Sequence, residues 1–343
     1  MTGQVYLVTG GAGFVGSNIV KRLLNEGKRV RVLDDLSTGH AENIGVCFDE
    51  NGGEIQYNQA DSFETEGGGT RDDGEIEFVK GDIRDRELVH KCMQGVKYVF
   101  HQAALPSVPR SIENPSESVS VAVDGTLSVL EAASKNNVKR VVYAASSSAY
   151  GANQDSPKKE SFRPEPLSPY AAGKLAGEHL CKVFWECYGL ETVAIRYFNV
   201  FGPRQDPKSQ YAAVIPKFIN AFLEKRAPTI YGDGGQTRDF TYVDNVVEAN
   251  MLAAIAPKEV AGKVVNVACG ESISLLDLLN ALTNILGPTM DPDFQPPRPG
   301  DVRHSLADIS EAEKLMGYKV VMGLEKGLEK TVEWYRFLKS SSV

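Results

Sequence analysis

Between a short β-branched run and a helical repeat near the start of the chain lies the turn Thr9-Gly10-Gly11-Ala12-Gly13-Phe14-Val15-Gly16-Ser17, and it restricts the fold more than any other stretch. Residues 4–9 read as a buried parallel strand, β-branched and apolar, ending in glycine. Ile19, Val20, Leu23 and Leu24 then recur at helical spacing, and the repeat stops at Gly27. Arg29 to Leu33 is the next strand, so the segment is one βαβ unit. Within it, Gly11-x-Gly13-x-x-Gly16 matches the dinucleotide-binding pattern. Glycine is needed there for the tight turn, for backbone approach to a pyrophosphate and for close packing of helix on strand. The helix N-terminus supplies free N–H groups and a positive dipole. Asp34 closes the second strand. A carboxylate there accepts the ribose hydroxyls and repels a 2′-phosphate, which selects NAD over NADP. No Gly-Lys-Ser/Thr follows the turn, so a P-loop is excluded.

The alternation of strand and helix continues. Strands are expected at residues 76–79, 98–101, 140–145, 192–197 and 264–267, and helices at 85–93, 115–135 and 169–188. This pattern predicts an α/β fold, a doubly wound parallel (Rossmann) sheet with a smaller C-terminal substrate lobe. From residue 198 prolines and glycines break the texture. Residues 1–197 and 241–269 are therefore assigned to the dinucleotide-binding domain, and residues 198–240 and 270–343 to the smaller lobe. Residues 49–74 are acidic and poor in apolar side chains, and read as a flexible surface insertion. The net charge of -8 argues against nucleic acid or an anionic membrane surface as partner. The five cysteines are scattered and never in a C-x-x-C pair, so buried free thiols, no metal site and a cytoplasmic setting are expected. No run approaches the roughly 20 apolar residues of a membrane span.

Tyr170-x-x-x-Lys174 falls on the helix after the fifth strand, and a spacing of four puts both side chains on one face. A phenol titrating at about 10 is a poor base at neutral pH. A lysine ammonium and a nicotinamide cation beside it are expected to lower that pKa. Ser146-Ser147-Ser148 ends the fifth strand, at the carboxyl edge where such sheets bind ligands. Taken singly, each motif is also compatible with a helix face or a polar strand exit. Glycine turn, acidic strand end, serine run and Tyr-Lys pair occur here in one order on matching elements.

On these residues the chain resembles the extended short-chain dehydrogenases/reductases, and among them the UDP-sugar 4-epimerases, most closely the UDP-N-acetylglucosamine 4-epimerase group. Further stretches carry the resemblance: Leu167-Ser168-Pro169-Tyr170-Ala171, Arg196-Tyr197-Phe198-Asn199-Val200-Phe201-Gly202, Tyr211 to Lys217, and Gly300 to Asp308. It implies Ser146 and Tyr170 as catalytic hydroxyls, and Lys174 as the partner of Tyr170 on the nicotinamide ribose. It implies NAD contacts from Gly10, Gly13, Phe14, Val15, Gly16, Asp34, Ser37, Gly39, Asp82, Ile83, Gln102, Ala103, Ala104 and Tyr197. For the UDP-sugar it implies Ser147, Ser148, Asn199, Ala213, Arg238, Arg298, Asp301 and Ser305. Val214, Phe218 and Tyr231 either pack around the uracil or are plain core.

Relatives that dehydrate or decarboxylate their sugars carry acidic residues just after the catalytic hydroxyl. This chain has Ser147 and Ser148 there, which leaves 4-epimerisation through a transient 4-keto sugar. Ser305 stands where relatives restricted to unsubstituted hexoses carry tyrosine, so the resemblance implies room for a 2-acetamido group, with UDP-GlcNAc/UDP-GalNAc as the expected pair and UDP-Glc/UDP-Gal also open. A uronic acid is the main rival and would need another cation, such as Arg204 or Arg110. A decarboxylase or dehydratase, and a non-catalytic NAD-binding sensor, are further alternatives. The two long helices resemble those that pair in family homodimers.

Overall fold

The computed structural model describes residues 4–45, 47–48, 54–55, 75–206, 213–288, 290–297 and 303–341. Most of the 49–74 insertion lies outside the described residues; within it, Glu54–Ile55 pairs antiparallel with Cys47–Phe48.

Seven strands form a parallel sheet: β1 (Val5–Thr9), β2 (Arg29–Asp34), β3 (Ile76–Lys80), β4 (Val96–His101), β5 (Arg140–Ser146), β6 (Glu191–Tyr197) and β7 (Lys263–Val267). Their spatial order is β7-β6-β5-β4-β1-β2-β3. The inner strands carry apolar runs, such as Val141–Ala145 and Val193–Ile195, because helices cover both faces of the sheet, whereas β2 and the edge strand β3 alternate with charged residues. Alternate residues serve opposite faces. Val8, Val32, Phe100, Val142, Ile195 and Val265 belong to one core. Leu7, Leu33, Val99, Val141 and Ala194 belong to the other. The order reverses at β1, which lies between β2 and β4. That reversal opens the crevice in which such sheets hold ligands. Register sets what lines it: Thr9 lies beside Leu33 and His101, and Ser146 beside Tyr197.

Helix α1 (Phe14–Asn25) starts at the glycine turn, and α2 (Arg86–Cys92) is capped by Asp85, whose carboxylate accepts from Glu87 and Leu88 N–H. The segment expected as a single helix over 115–135 is three pieces: Pro115–Ser120, a π-helical Val121–Gly125 and α3 (Thr126–Lys135). Its wide turn sits where packing is close. A Cβ on Gly125 would lie 2.4 Å from Ile83, and one on Gly173 2.7 Å from Ala122. A short helix, Val108–Glu113, precedes it and was not foreseen.

Helix α4 (Pro169–Tyr188) carries Tyr170 and Lys174. Ser168 caps it by accepting Ala171 N–H, proline occupies its first turn, and Gly189 ends it with a left-handed φ of 71°. These are the expected helix signals. After β6, Val200–Phe201 pairs parallel with Thr241–Tyr242. Helix α5 (Val243–Ile255) then leads into β7. Arg238 lies on a two-residue strand, Thr237–Arg238, antiparallel to Ile273–Ser274. Among the described residues no helix is long and apolar enough to cross a membrane.

Candidate active site

The glycine turn is built for close backbone approach. Gly10 has φ 67°, and a Cβ there would meet Ala103 N at 2.6 Å. A Cβ on Gly16 would lie 2.1 Å from Gly10 O. Gly13 caps α1 without any side-chain bond, so the first-turn N–H groups stay open to an anion. Asp34 is buried, and its two oxygens accept Ala12 N–H (2.9 Å) and Leu36 N–H (2.8 Å). Burial pushes its pKa up, and those two donors hold it down. Gly39 packs against Ala12, which also accepts from His40 N–H and Asn43 Nδ2. Residues 36–43 thus lie over the glycine turn. Ser37 N–H is held by Asp35. Asp82 pairs with Arg84, which holds its carboxyl below the usual range, while Ile83 is buried. This cradle fits a dinucleotide: two positions where no Cβ can stand, open helix N–H groups, and a buried carboxylate at the second strand's end.

Across the crevice, Gln102 Oε1 accepts from the Tyr197 hydroxyl (3.1 Å), and Asn250 bonds both residues. Burial pushes Tyr197 up to about 12. Gln102, Ala103 and Ala104 are half-buried beside the turn. Ser146 Oγ accepts the Ser148 N–H (3.2 Å) and hydroxyl (2.9 Å), so the serine run folds back on its first member.

Tyr170 and Ser146 are brought together, but the electrostatics differ from expectation. Burial raises the Tyr170 pKa, and the Ser146 hydroxyl beside it draws it down. Lys174 does not act on the phenol. Its ammonium is buried and donates to Ala144 O at 2.6 Å. Desolvation lowers Lys174 to about 8. The expected Lys-driven lowering of the tyrosine pKa is thus absent from the protein alone, because the lysine is turned to the β5 backbone.

Asn199 has φ 34° and donates to Asp239 O. Arg238 donates to Thr237 O (2.9 Å) and Arg303 O (3.3 Å), and Ser305 N–H to Thr237 O. Asp239, which the sequence reading overlooked, is fully buried and accepts the N–H groups of Cys269, Gly270 and Ala307. It therefore ties Arg238 to the segment carrying Ser305. Phe218 is buried and Val214 half-buried, and both pack with the large core; Tyr231 is half-buried. Ala213 is exposed. Arg298 and Asp301 lie outside the described residues. The two cations considered for a uronate are engaged elsewhere: Arg204 donates to Ser17 O at 2.7 Å, and Arg110 pairs with Glu117 at 3.6 Å.

Comparison with known proteins places this geometry. Residues 6–268 match the model of the NAD dependent epimerase/dehydratase family. The chain belongs to that family. NAD is accordingly its cofactor, and the cradle above is the place that fits it. The chain is 39% identical over 332 residues to the UDP-glucose 4-epimerase of Mycolicibacterium smegmatis, covering 96% of this chain and 98% of that one. It is also similar to the UDP-N-acetylglucosamine 4-epimerase from Methanobrevibacter ruminantium in complex with UDP-N-acetylmuramic acid, at 39% identity and TM-score 0.86, covering 98% and 100% of the two chains. The UDP-glucuronic acid 4-epimerase from Bacillus cereus, solved with UDP-glucuronic acid and NAD, aligns at 31% identity and TM-score 0.83, covering 98% and 100%.

Proposed function

We propose that this chain is a UDP-sugar 4-epimerase that interconverts UDP-GlcNAc and UDP-GalNAc. The observation that carries the reading is the meeting of Ser146 and Tyr170 at the carboxyl edge of β5, with Lys174 one turn along α4. When bound, NAD takes up and returns a hydride at the sugar's C4 and adds a positive ring to the site. Gly10, Gly13, Gly16 and Asp34 hold it, with Gln102 to Ala104 as one wall and Tyr197 as another. Tyr170 removes the proton from the 4-hydroxyl and gives it back; Ser146 passes or shares that proton, since its hydroxyl reaches the phenol. Lys174 would bond the nicotinamide ribose once the cofactor is in place. Arg238, with Arg298, offsets the pyrophosphate, and Asn199 and Asp301 help hold the uridine end.

Substrate size follows from Ser305, a half-buried small side chain. A relative that binds UDP-N-acetylmuramic acid, itself a 2-acetamido sugar, supports room at that position. A uronic acid is the second reading, favoured by the Bacillus cereus likeness. The bonds already made by Arg204 and Arg110 weigh against it. Exposed Ile112 on the Val108–Glu113 helix, Val119 on the Pro115–Ser120 helix, and Val183 on α4 support a homodimer.

Incubation with UDP-GlcNAc, UDP-Glc and UDP-GlcA without added reductant, followed by NMR of the products, tests the reading. UDP-GalNAc is expected as the main product, and Ser305→Tyr should suppress it while sparing UDP-Glc turnover. Failure to exchange any of the three rejects the epimerase; loss of CO2 or water would mark a lyase instead.

A further inference from the structure

Outside the groups that touch NAD or sugar, a line of fully buried polar side chains runs beneath the site. Ala103 N–H points at Thr9 Oγ1 (3.4 Å). Thr9 Oγ1 lies 2.7 Å from His101 Nδ1, and His101 Nε2 lies 3.0 Å from Thr126 Oγ1. Thr126 stands against the Tyr143 hydroxyl, which donates to Lys174 O at 3.4 Å. Thr9, His101, Thr126 and Tyr143 are each at most 1% exposed, so water cannot complete their bonds.

The last acceptor fixes the direction. Lys174 O can only accept, so the Tyr143 hydroxyl spends its hydrogen there and turns a lone pair to Thr126; Thr126, giving its hydrogen to that oxygen, accepts from His101 Nε2, and Thr9 Oγ1 turns its own hydrogen to Nδ1. Nδ1 is then an acceptor, and the imidazole hydrogen sits on Nε2 and goes to Thr126. Thr126 passes its hydrogen to Tyr143, and Tyr143 passes its own to the carbonyl of Lys174. Every link runs one way, which is the arrangement in which hydrogen bonds strengthen one another. A doubly protonated imidazole would donate from Nδ1 as well and reverse the Thr9 link, ending the one-way run. It would also set a cation near Lys174, and burial keeps His101 neutral, down to about 3.

We propose that His101 is a positioning residue: as the neutral Nε2–H tautomer it carries a one-way hydrogen-bond chain from the cofactor wall at Ala103 to the backbone of Lys174. The two ends matter because each abuts the site. Ala103 N is the atom a Cβ on Gly10 would strike, so the chain sets the gap between the glycine turn and the opposite wall. At the other end the Tyr143 hydroxyl lies against α4 at Gly177, where a Cβ would come within 2.2 Å of it. The chain therefore holds the cofactor cradle and the lysine-bearing helix in fixed relation. This rests on the proposed catalytic role of Lys174.

The test has two arms on the NAD-bound enzyme. In ring-15N spectra of histidine-labelled protein, His101 is assigned among the five histidines by its loss in His101→Gln. The Nε2–H tautomer with shifts constant from pH 5 to 8 is expected; an Nδ1–H form, or titration in that range, overturns the proposal. In the second arm, Thr9→Val and Tyr143→Phe cut the chain at ends that do not touch each other. Each should lower kcat about three- to tenfold, the worth of one lost buried hydrogen bond. The double variant should be no slower than the slower single. Effects that multiply, as for independent sites, would overturn the chain. Absence of any turnover by the parent enzyme would reject the epimerase reading, while the tautomer result would still decide the chain.

Discussion

Lys174→Met should stabilise the NAD-free protein at neutral pH and lose that advantage in alkali. The side chain is 4% exposed, and desolvation takes its pKa from 10.5 to about 8. At 1.36 kcal/mol per pH unit, burying the ammonium costs about 3 kcal/mol below pH 8. Methionine fills similar space without a charge. Removing the bond to Ala144 O gives back about 1 kcal/mol, so the variant should be more stable by roughly 2 kcal/mol at pH 7. The pH dependence has a definite sign. Between pH 8 and 10.5 the unfolded lysine holds its proton and the folded one has lost it, so the parent gains stability as pH rises. Over that window the parent should recover about 3 kcal/mol and overtake the variant. Urea unfolding of both proteins at pH 7, 8, 9 and 10 measures the difference. Equal stability at pH 7, or a gap that stays constant through pH 10, would refute the account of Lys174 as a desolvated ammonium held for function.

Three further outcomes are expected. Gly16→Ala places a Cβ 2.1 Å from Gly10 O, a backbone atom that cannot turn aside, so NAD affinity measured by fluorescence titration should fall more than about tenfold. Asp34→Asn removes the charge that repels a 2′-phosphate and turns an amide donor toward Ala12 or Leu36 N–H, so the ratio of NAD to NADP affinity should drop by about an order of magnitude. His101 is depressed from 6.5 to about 3, so its contribution to stability is lost as pH falls through 6.5, by on the order of 5 kcal/mol at pH 3. Asp239, raised to about 6 by burial, acts the opposite way, favouring the fold in acid and losing that contribution as pH rises through 6. Acid unfolding of His101→Gln against the parent isolates the histidine, and parallel curves would contradict its neutrality.

What the sequence made legible is what local chemistry decides. The glycine turn could be read because a missing Cβ at Gly10 and Gly16 is itself the signal, and α4 because a long helix over 169–188 continues the strand-helix alternation. The inner parallel strands were visible as apolar runs, since both of their faces are covered. The π-helical turn was hidden because it packs against Ile83 and Gly173, partners that no helical periodicity reveals. His101, Thr9 and Thr126 each look like ordinary polar residues, being 92 and 25 positions apart along the chain. Asp239 likewise gains meaning only from backbone N–H groups at 269, 270 and 307.

The largest gap concerned direction rather than identity. Tyr170 and Lys174 were recognisable by spacing, and the natural inference was an ammonium aimed at a phenol. The fold aims it at Ala144 O, and burial, acting on both groups, drives their pKa values apart: the tyrosine up, the lysine down. Each is thereby biased toward its neutral form in the protein alone. A positive ligand ring entering beside the phenol would then do most of the work of ionising it, whereas a second cation from protonated His101 would depress Lys174 further. Keeping that imidazole neutral leaves the charge of the site to be set by what binds there. An enzyme in which Lys174 titrates near 8 both with and without NAD would show the opposite, a charge state fixed by the protein and indifferent to its cofactor.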